Sequence, residues 1–264
     1  MKYALTSMVL LLMLLVSCSN DNSEADETPN QEVQDPNPDP TEITDNFDGN
    51  GELIDYVTNN ASALPQTERV EGRYRAALTD NQNNVTLHFN DRQGRLDAKL
   101  LTFPFEFIAR NIGIGTLENS QTAPAPSNGP YIFAGVQVHV EDFNSINSSH
   151  VVVGHRGATG FTIEGKNTLN GSSSVNDIGA NMAPEGRADI RIVGNADRTL
   201  TVHWQLPNLE FETEADSWNL YRENGRLPGT APSYDENVYV GLITYASGNQ
   251  GVPFVGTCDA IEIK

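Results

Sequence analysis

Short runs in which apolar and polar residues alternate constrain this chain more than any other feature, and the clearest is Gly135-Val-Gln-Val-His-Val-Glu141. In a strand of that spelling Val136, Val138 and Val140 fall on one side, and Gln137, His139 and Glu141 on the other. One face is core. The other sets out an amide, an imidazole and a carboxylate in a row. In a two-sheet β protein such a row is either a solvated surface or the floor of a binding cleft.

Strand signals recur from Asp45 to the C-terminus: Val70–Leu78, Val85–Asn90, Leu96–Phe103, Phe105–Ile114, Tyr131–Glu141, Val151–His155, Ala188–Val193, Thr199–Gln205, Val238–Tyr245 and Cys258–Ile263. Turn signals separate them, at Asn83-Asn84, Asp91–Gly94, Asn128–Pro130, Asn170-Gly171 and Gly194–Asp197. Only Gly51–Asn59 reads as a turn or two of helix. Asn167–Asn181, rich in Ser, Gly and Asn, reads as the longest irregular stretch of the domain. Many short strands at this spacing predict an all-β fold over residues 45–264, a two-sheet antiparallel sandwich.

The N-terminal part is of another kind. Residues 1–17 read as a signal peptide: Lys2, then an apolar run from Met8 to Val16 that is too short to cross a bilayer as a stable helix. Residues 18–44 hold no Lys or Arg, and the segment Asp35–Pro40 alternates Pro with Asp or Asn, so this stretch reads as an acidic disordered tether. Leu15-Val16-Ser17-Cys18 resembles the lipobox of bacterial lipoproteins. The resemblance implies cleavage before Cys18, acylation of Cys18 and anchoring by several chains. The acidic residues after Cys18 resemble the export signal of surface lipoproteins in the Bacteroidetes group, which implies exposure on the outer membrane. With Cys18 acylated, Cys258 has no partner, so a disulfide framework is excluded; Cys258 reads as a buried, inert thiol.

A formal net charge of −19 argues against nucleic acid or an anionic bilayer as partner, since both call for clustered Lys or Arg. It suits neutral glycans or calcium. Asp45, Asn46, Asp48 and Asn50 offer hard oxygen ligands at short spacing, with Asp45 and Asp48 as the charged pair, so a structural calcium is expected as a candidate and no other cofactor is called for.

The order of features narrows the fold. Asp45-Asn-Phe-Asp-Gly49 opens the domain, Gly135–Asn144 and Ser149–Gly154 occupy its middle, and Ala188–Val193, Thr199–Trp204, Val240–Thr244 and Asp259–Ile263 close it. This succession resembles the concanavalin A-like lectin/glucanase superfamily, particularly its laminin-G-like bacterial members. The resemblance implies a jelly-roll sandwich in which the opening segment lies beside the closing strand. Members bind or cleave polysaccharides, bind proteins or act as spacers. Glucanases of family 16 carry Glu-x-Asp-x-x-Glu on one strand; no such triplet occurs here, and Glu214-Ala-Asp216-Ser-Trp-Asn219 ends in Asn. Gln137-Val-His139 and Arg69-Val-Glu71-Gly-Arg73 resemble two motifs of the alginate lyases of polysaccharide lyase family seven. By that resemblance Arg73 and Gln137 neutralise a uronate carboxylate, His139 removes a proton, and a late tyrosine, Tyr245, protonates the leaving oxygen; the lysine of the third motif is missing. Without catalysis, the ligand-binding candidates are Gln137, His139, Glu141, His155, Arg156, Trp218 and Tyr221, aromatic platforms beside amide, imidazole and guanidinium forks. Three readings stand: capture of a polysaccharide, polysaccharide lysis, and a protein-interaction module of the cell surface.

Overall fold

The computed structural model describes residues 43–49, 55–64, 66–69, 72–78, 94–124, 131–157, 160–207, 218–247 and 253–264. In chain order the strands are β1 (Ile43–Asp45), β2 (Val57–Asn59), β3 (Gln66–Arg69), β4 (Tyr74–Leu78), β5 (Arg95–Thr102), β6 (Phe105–Gly115), β7 (Tyr131–Val140) and β8 (Ser148–Arg156). They continue as β9 (Phe161–Leu169), β10 (Ser172–Asp177), β11 (Arg187–Gly194), β12 (Leu200–Gln205), β13 (Asn219–Leu220), β14 (Asn237–Ser247), β15 (Phe254–Cys258) and β16 (Ala260–Ile263). A 3-10 turn spans Ala61–Ala63.

Two antiparallel sheets result. The front sheet has seven strands in the order β10-β9-β8-β7-β14-β5-β2. The back sheet has nine, β13-β12-β11-β6-β15-β4-β3, with β16 beside β6 and β1 beside β16. Neighbours distant in sequence show the crossovers of a jelly roll rather than a meander. The expected pairing of the opening and closing segments is present: Ile43 lies opposite Ile263 and Asp45 opposite Ile261. Ile43 and Thr44, in the stretch read as tether, take part in this pairing as strand β1.

The core lies between the sheets. Val136, Val138, Val151, Val153, Ile163 and Leu242 of the front sheet meet Phe107, Ile190, Ile192 and Val202 of the back sheet. Each such side chain contributes about 1.5–3 kcal/mol on burial. On the other face of the front sheet the strands crowd together. A Cβ at Gly154 would sit 1.9 Å from Ile132 O, and one at Gly241 would sit 2.0 Å from Asp97 O. Only glycine permits that approach.

Three expectations are corrected. Asn167–Asn181 is not irregular: β9 and β10 form a hairpin, with Ser172 opposite Leu169 and Asp177 opposite Glu164. Asn170 and Gly171, at φ 51° and 79°, make the tight turn that their residue types favour. Val57–Asn59 is a strand against β5, not helix, and residues 51–54 lie outside the described set. Cys258–Ile263 is interrupted at Asp259, so that β15 pairs with β4 and β6 while β16 pairs with β6 and β1. The expected strand Val85–Asn90 and the turn Asn128–Pro130 also lie outside the described residues.

Candidate functional site

The alternation of β7 turns Gln137 to the crowded face of the front sheet. Strand register then supplies its neighbours: Gly241 on one side, His150 on the other, and Lys166 beyond His150. Tyr245 of β14 covers this row. Its ring lies 5.5 Å from the Phe133 ring and 5.6 Å from that of His150, and its hydroxyl is 3.4 Å from His150 Nε2. The Lys166 ammonium stands 5.5 Å from the Tyr245 ring centroid. Gln137 is only 1 % exposed, yet neither its Oε1 nor its Nε2 has a hydrogen-bond partner among the described residues. A buried polar group left so costs about 1–3 kcal/mol. Gly241 adds no side chain that could meet the amide.

Charge gathers at the β9–β10 end of the same face. Arg156 Nη1 lies 3.1 Å from Glu164 Oε2 and 3.6 Å from Asp177 Oδ2, and its guanidinium faces the Tyr131 ring at 6.0 Å. Burial raises the Glu164 carboxyl above its ordinary value, with Arg156 and Lys166 opposing. Burial also pushes the Lys166 ammonium down to about 8, with Glu164 partly offsetting it. The Tyr245 hydroxyl is held well above its usual range by burial, so it stays protonated.

Lys166 therefore leaves a mark on stability. Below about pH 8 both folded and unfolded chains hold its proton, and the cost of the buried ammonium is present in full. Between about 8 and the ordinary 10.5 only the unfolded chain holds it, so this residue's contribution to stability improves as pH rises. Lys166→Met is expected to be the more stable protein at pH 7 and to lose that advantage by pH 10.5. Urea midpoints at both pH values check this; a constant difference would sink it.

The other residues singled out in the sequence scatter. His139 shares the face of Gln137, but its Nδ1 is 2.7 Å from Val140 O and its ring packs on Phe143, which in turn stacks on Tyr239. Glu141 lies past the end of β7, exposed in the turn, and does not continue the row. His155 faces inward, edge-on to Phe161, while its neighbour Arg156 faces outward. Tyr221 is wholly buried; its hydroxyl donates to Asn176 O at 2.6 Å and accepts from Gly165 N–H at 2.9 Å, which leaves it clamping two strands rather than meeting a ligand. Trp218 belongs to the back sheet, 5.5 Å from the Arg110 guanidinium and 6.0 Å from that of Arg191. Arg73 is also on the back-sheet side, ion-paired with Asp259 and donating to Ser120 O at 3.2 Å. The four residues of the lyase reading are thus split, with Gln137, His139 and Tyr245 on one sheet and Arg73 on the other.

Asp45 accepts from Phe47 N–H at 3.0 Å and the Tyr56 hydroxyl at 3.2 Å, and Asp48 accepts from Asn46 at 3.0 Å. No group of three or more His, Cys, Asp or Glu that could hold a metal ion forms among the described residues. Asn50, of the expected calcium donors, and Cys18 lie outside the described residues. Cys258 is buried against Arg110 O and Ala260 O, and burial pushes its thiol well up, as expected of an inert cysteine.

Sequence reasoning missed His150, Glu164 and Lys166. The alternation Thr162, Glu164, Lys166, Thr168 was available as a signal, but Gly165 and Asn167 occupy the inward positions where apolar residues would have announced a strand.

No family model matches the chain, and no curated protein matches it. Solved structures do. The chain is similar to a functionally unknown protein from Saccharomyces cerevisiae, at 13 % identity and a TM-score of 0.54 over 81 % of this chain and 98 % of that one. It is similar to a xylan β-1,4-xylosidase from Bacillus halodurans, at 15 % identity and a TM-score of 0.56 over 84 % of this chain and 38 % of the xylosidase. A bifunctional GH43-CE protein from Bacteroides eggerthii matches at 12 % identity and a TM-score of 0.50, over 84 % of this chain and 27 % of that one. Likeness at this level is likeness of fold, and the fold is a two-sheet antiparallel jelly roll.

Proposed function

We propose that the chain captures a polysaccharide without cleaving it, from a lipid anchor at Cys18 on the bacterial outer membrane, with residues 18–42 as spacer. The observation that carries the reading is the Gln137 amide, buried on the outer face of the front sheet with both atoms unbonded among the described residues. Sugar hydroxyls are donors and acceptors at once and suit such an amide, while Tyr245 and Tyr131 offer ring faces to sugar C–H groups. Among the described residues, Arg156 is ion-paired with both Glu164 and Asp177 at the β9–β10 end of this face. The xylosidase and GH43 neighbours are polysaccharide-acting proteins by their descriptions, which is compatible with a sugar ligand here.

The test is native affinity electrophoresis of the full chain against neutral and uronic-acid polysaccharides, with ultraviolet absorbance of the same mixtures. Retardation without absorbance is the expected result. A second reading, β-elimination, is favoured by one contact: the protonated Tyr245 hydroxyl beside His150 is placed as a proton donor. Rising absorbance from unsaturated ends would establish it and remove the non-cleaving reading.

A further inference from the structure

A second recess lies at the flank of the sandwich, beyond the Arg156–Glu164–Asp177 cluster and sharing Asp177 with it. It opens between the edge strands of the two sheets, β10 in front and β13 behind, and has a volume of about 840 Å³. That is the size of sites that hold several sugar rings or a drug-sized molecule. Its apolar lining is the rim of Trp204 with Ile178, Met182 and the exposed Leu220. Its polar lining includes Asp177, Asn219, Arg222 and Glu223. Trp204 is 9 % exposed, so the indole is mostly core with one edge on the recess. Arg222 holds a left-handed backbone at φ 56°, a conformation that costs a non-glycine residue about 1–3 kcal/mol and that concentrates at ligand sites.

We propose that this recess is a second saccharide site, taking a neutral oligosaccharide. Trp204, Met182 and Leu220 give the apolar surface on which sugar C–H faces lie. Asn219, Arg222 and Glu223 give donors and acceptors for hydroxyls. The charged lining has one cation against two carboxylates, within a chain of net charge −19, which disfavours an anionic ligand. The exposed Leu220 and the mixed rim argue equally against a small inorganic ion. Two sites on one chain hold a polymer by effective concentration, so that modest single-site affinities suffice.

The chain has two tryptophans, Trp204 and Trp218, so Trp218→Phe leaves Trp204 as the single reporter. The probes are cellohexaose, xylohexaose, laminarihexaose and mannohexaose, titrated into the full chain carrying Trp218→Phe and read by tryptophan emission. At least one probe is expected to change Trp204 emission saturably. Adding Asn219→Ala with Arg222→Ala is expected to weaken that response at least tenfold, whereas adding Gln137→Leu leaves it in place. Trp204→Phe on the native background reports through Trp218 alone and should show no response. The proposal fails if Trp204 is silent to all four probes, or if its response survives in the Asn219→Ala, Arg222→Ala protein. Failure here is separable from failure of the Gln137 row: polysaccharide retardation with a silent Trp204 removes the recess only, and a responding Trp204 without retardation leaves the recess and removes the row.

Discussion

Asp97→Ala is expected to destabilise the folded chain by about 3–5 kcal/mol, the cost of removing one partner from a buried charged network. Asp97 is fully buried between the sheets near their β5 end. Its carboxylate accepts from Arg95 Nε at 2.8 Å and Nη2 at 3.0 Å, from the Tyr74 hydroxyl at 2.7 Å, and from Thr58 Oγ1 at 2.5 Å. Those donors come from β5, β4 and β2, so a single carboxylate ties the front sheet to the back sheet. Arg95 also reaches Leu64 O at 3.1 Å and Ala61 O at 3.3 Å, which fixes the chain around the 3-10 turn. Alanine would strand a mostly buried guanidinium and a buried phenol at once. Domains of this kind are stable by about 5–15 kcal/mol, so the loss is a large fraction of the whole. A change of 1 kcal/mol moves the melting temperature of a domain this size by about 2–4 °C, so a fall of roughly 10 °C is expected. Asp97→Asn keeps the shape and one acceptor and should fall about half as far. A loss under about 1 kcal/mol for Asp97→Ala, read from urea unfolding with unchanged m-value, would show that the network is replaceable by water.

That network also shows what the sequence hides. The class of fold is legible because period-two alternation is local: the valines of β7, and Ala188–Val193 followed by Thr199–Gln205, each declare a strand and its buried face within a few residues. The turn at Asn170-Gly171 is equally local. What lies across a strand is not. Gln137 is legible as a surface-row residue, but its neighbours His150 and Gly241 are set by register, thirteen and 104 positions away in the chain. β10, spelled Ser-Ser-Ser-Val-Asn-Asp, has little strand preference of its own and is held by pairing to β9. Trp218 and Tyr221 read alike in the sequence, as aromatic residues in a polar stretch. Position separates them: Tyr221 is clamped between Asn176 and Gly165, and Trp218 rests over two arginines of the back sheet. Arg73 matched a three-residue motif, and such a motif carries no information about which sheet it will join.

Gln137→Leu is expected to make the protein more stable and at the same time to lose the binding contributed by the Gln137 row. The two effects have one cause. An amide that is 1 % exposed and unbonded at both atoms lowers stability by about 1–3 kcal/mol, and leucine has a similar volume without the polar atoms. The space above Gly241 and beside His150 need not change to admit it. Stability should therefore rise by about 1–3 kcal/mol, visible as a higher urea midpoint at constant m-value. Removing a polar group that meets ligand hydroxyls leaves those hydroxyls desolvated and unpaired, a loss of at least tenfold and up to several hundredfold in affinity, by about 1.4 kcal/mol per decade. Retardation of the full chain in polysaccharide gels should then fall sharply, to what the flank recess alone supports. Gln137→Glu separates the contributions: it restores an acceptor, adds a buried charge, and should lower stability below that of the native protein. A purely structural glutamine gives the opposite pattern, with Gln137→Leu destabilised and binding intact, because a paired amide contributes to the fold and owes nothing to a ligand. The sign of the stability change thus decides whether this residue is kept for the fold or for what the fold holds.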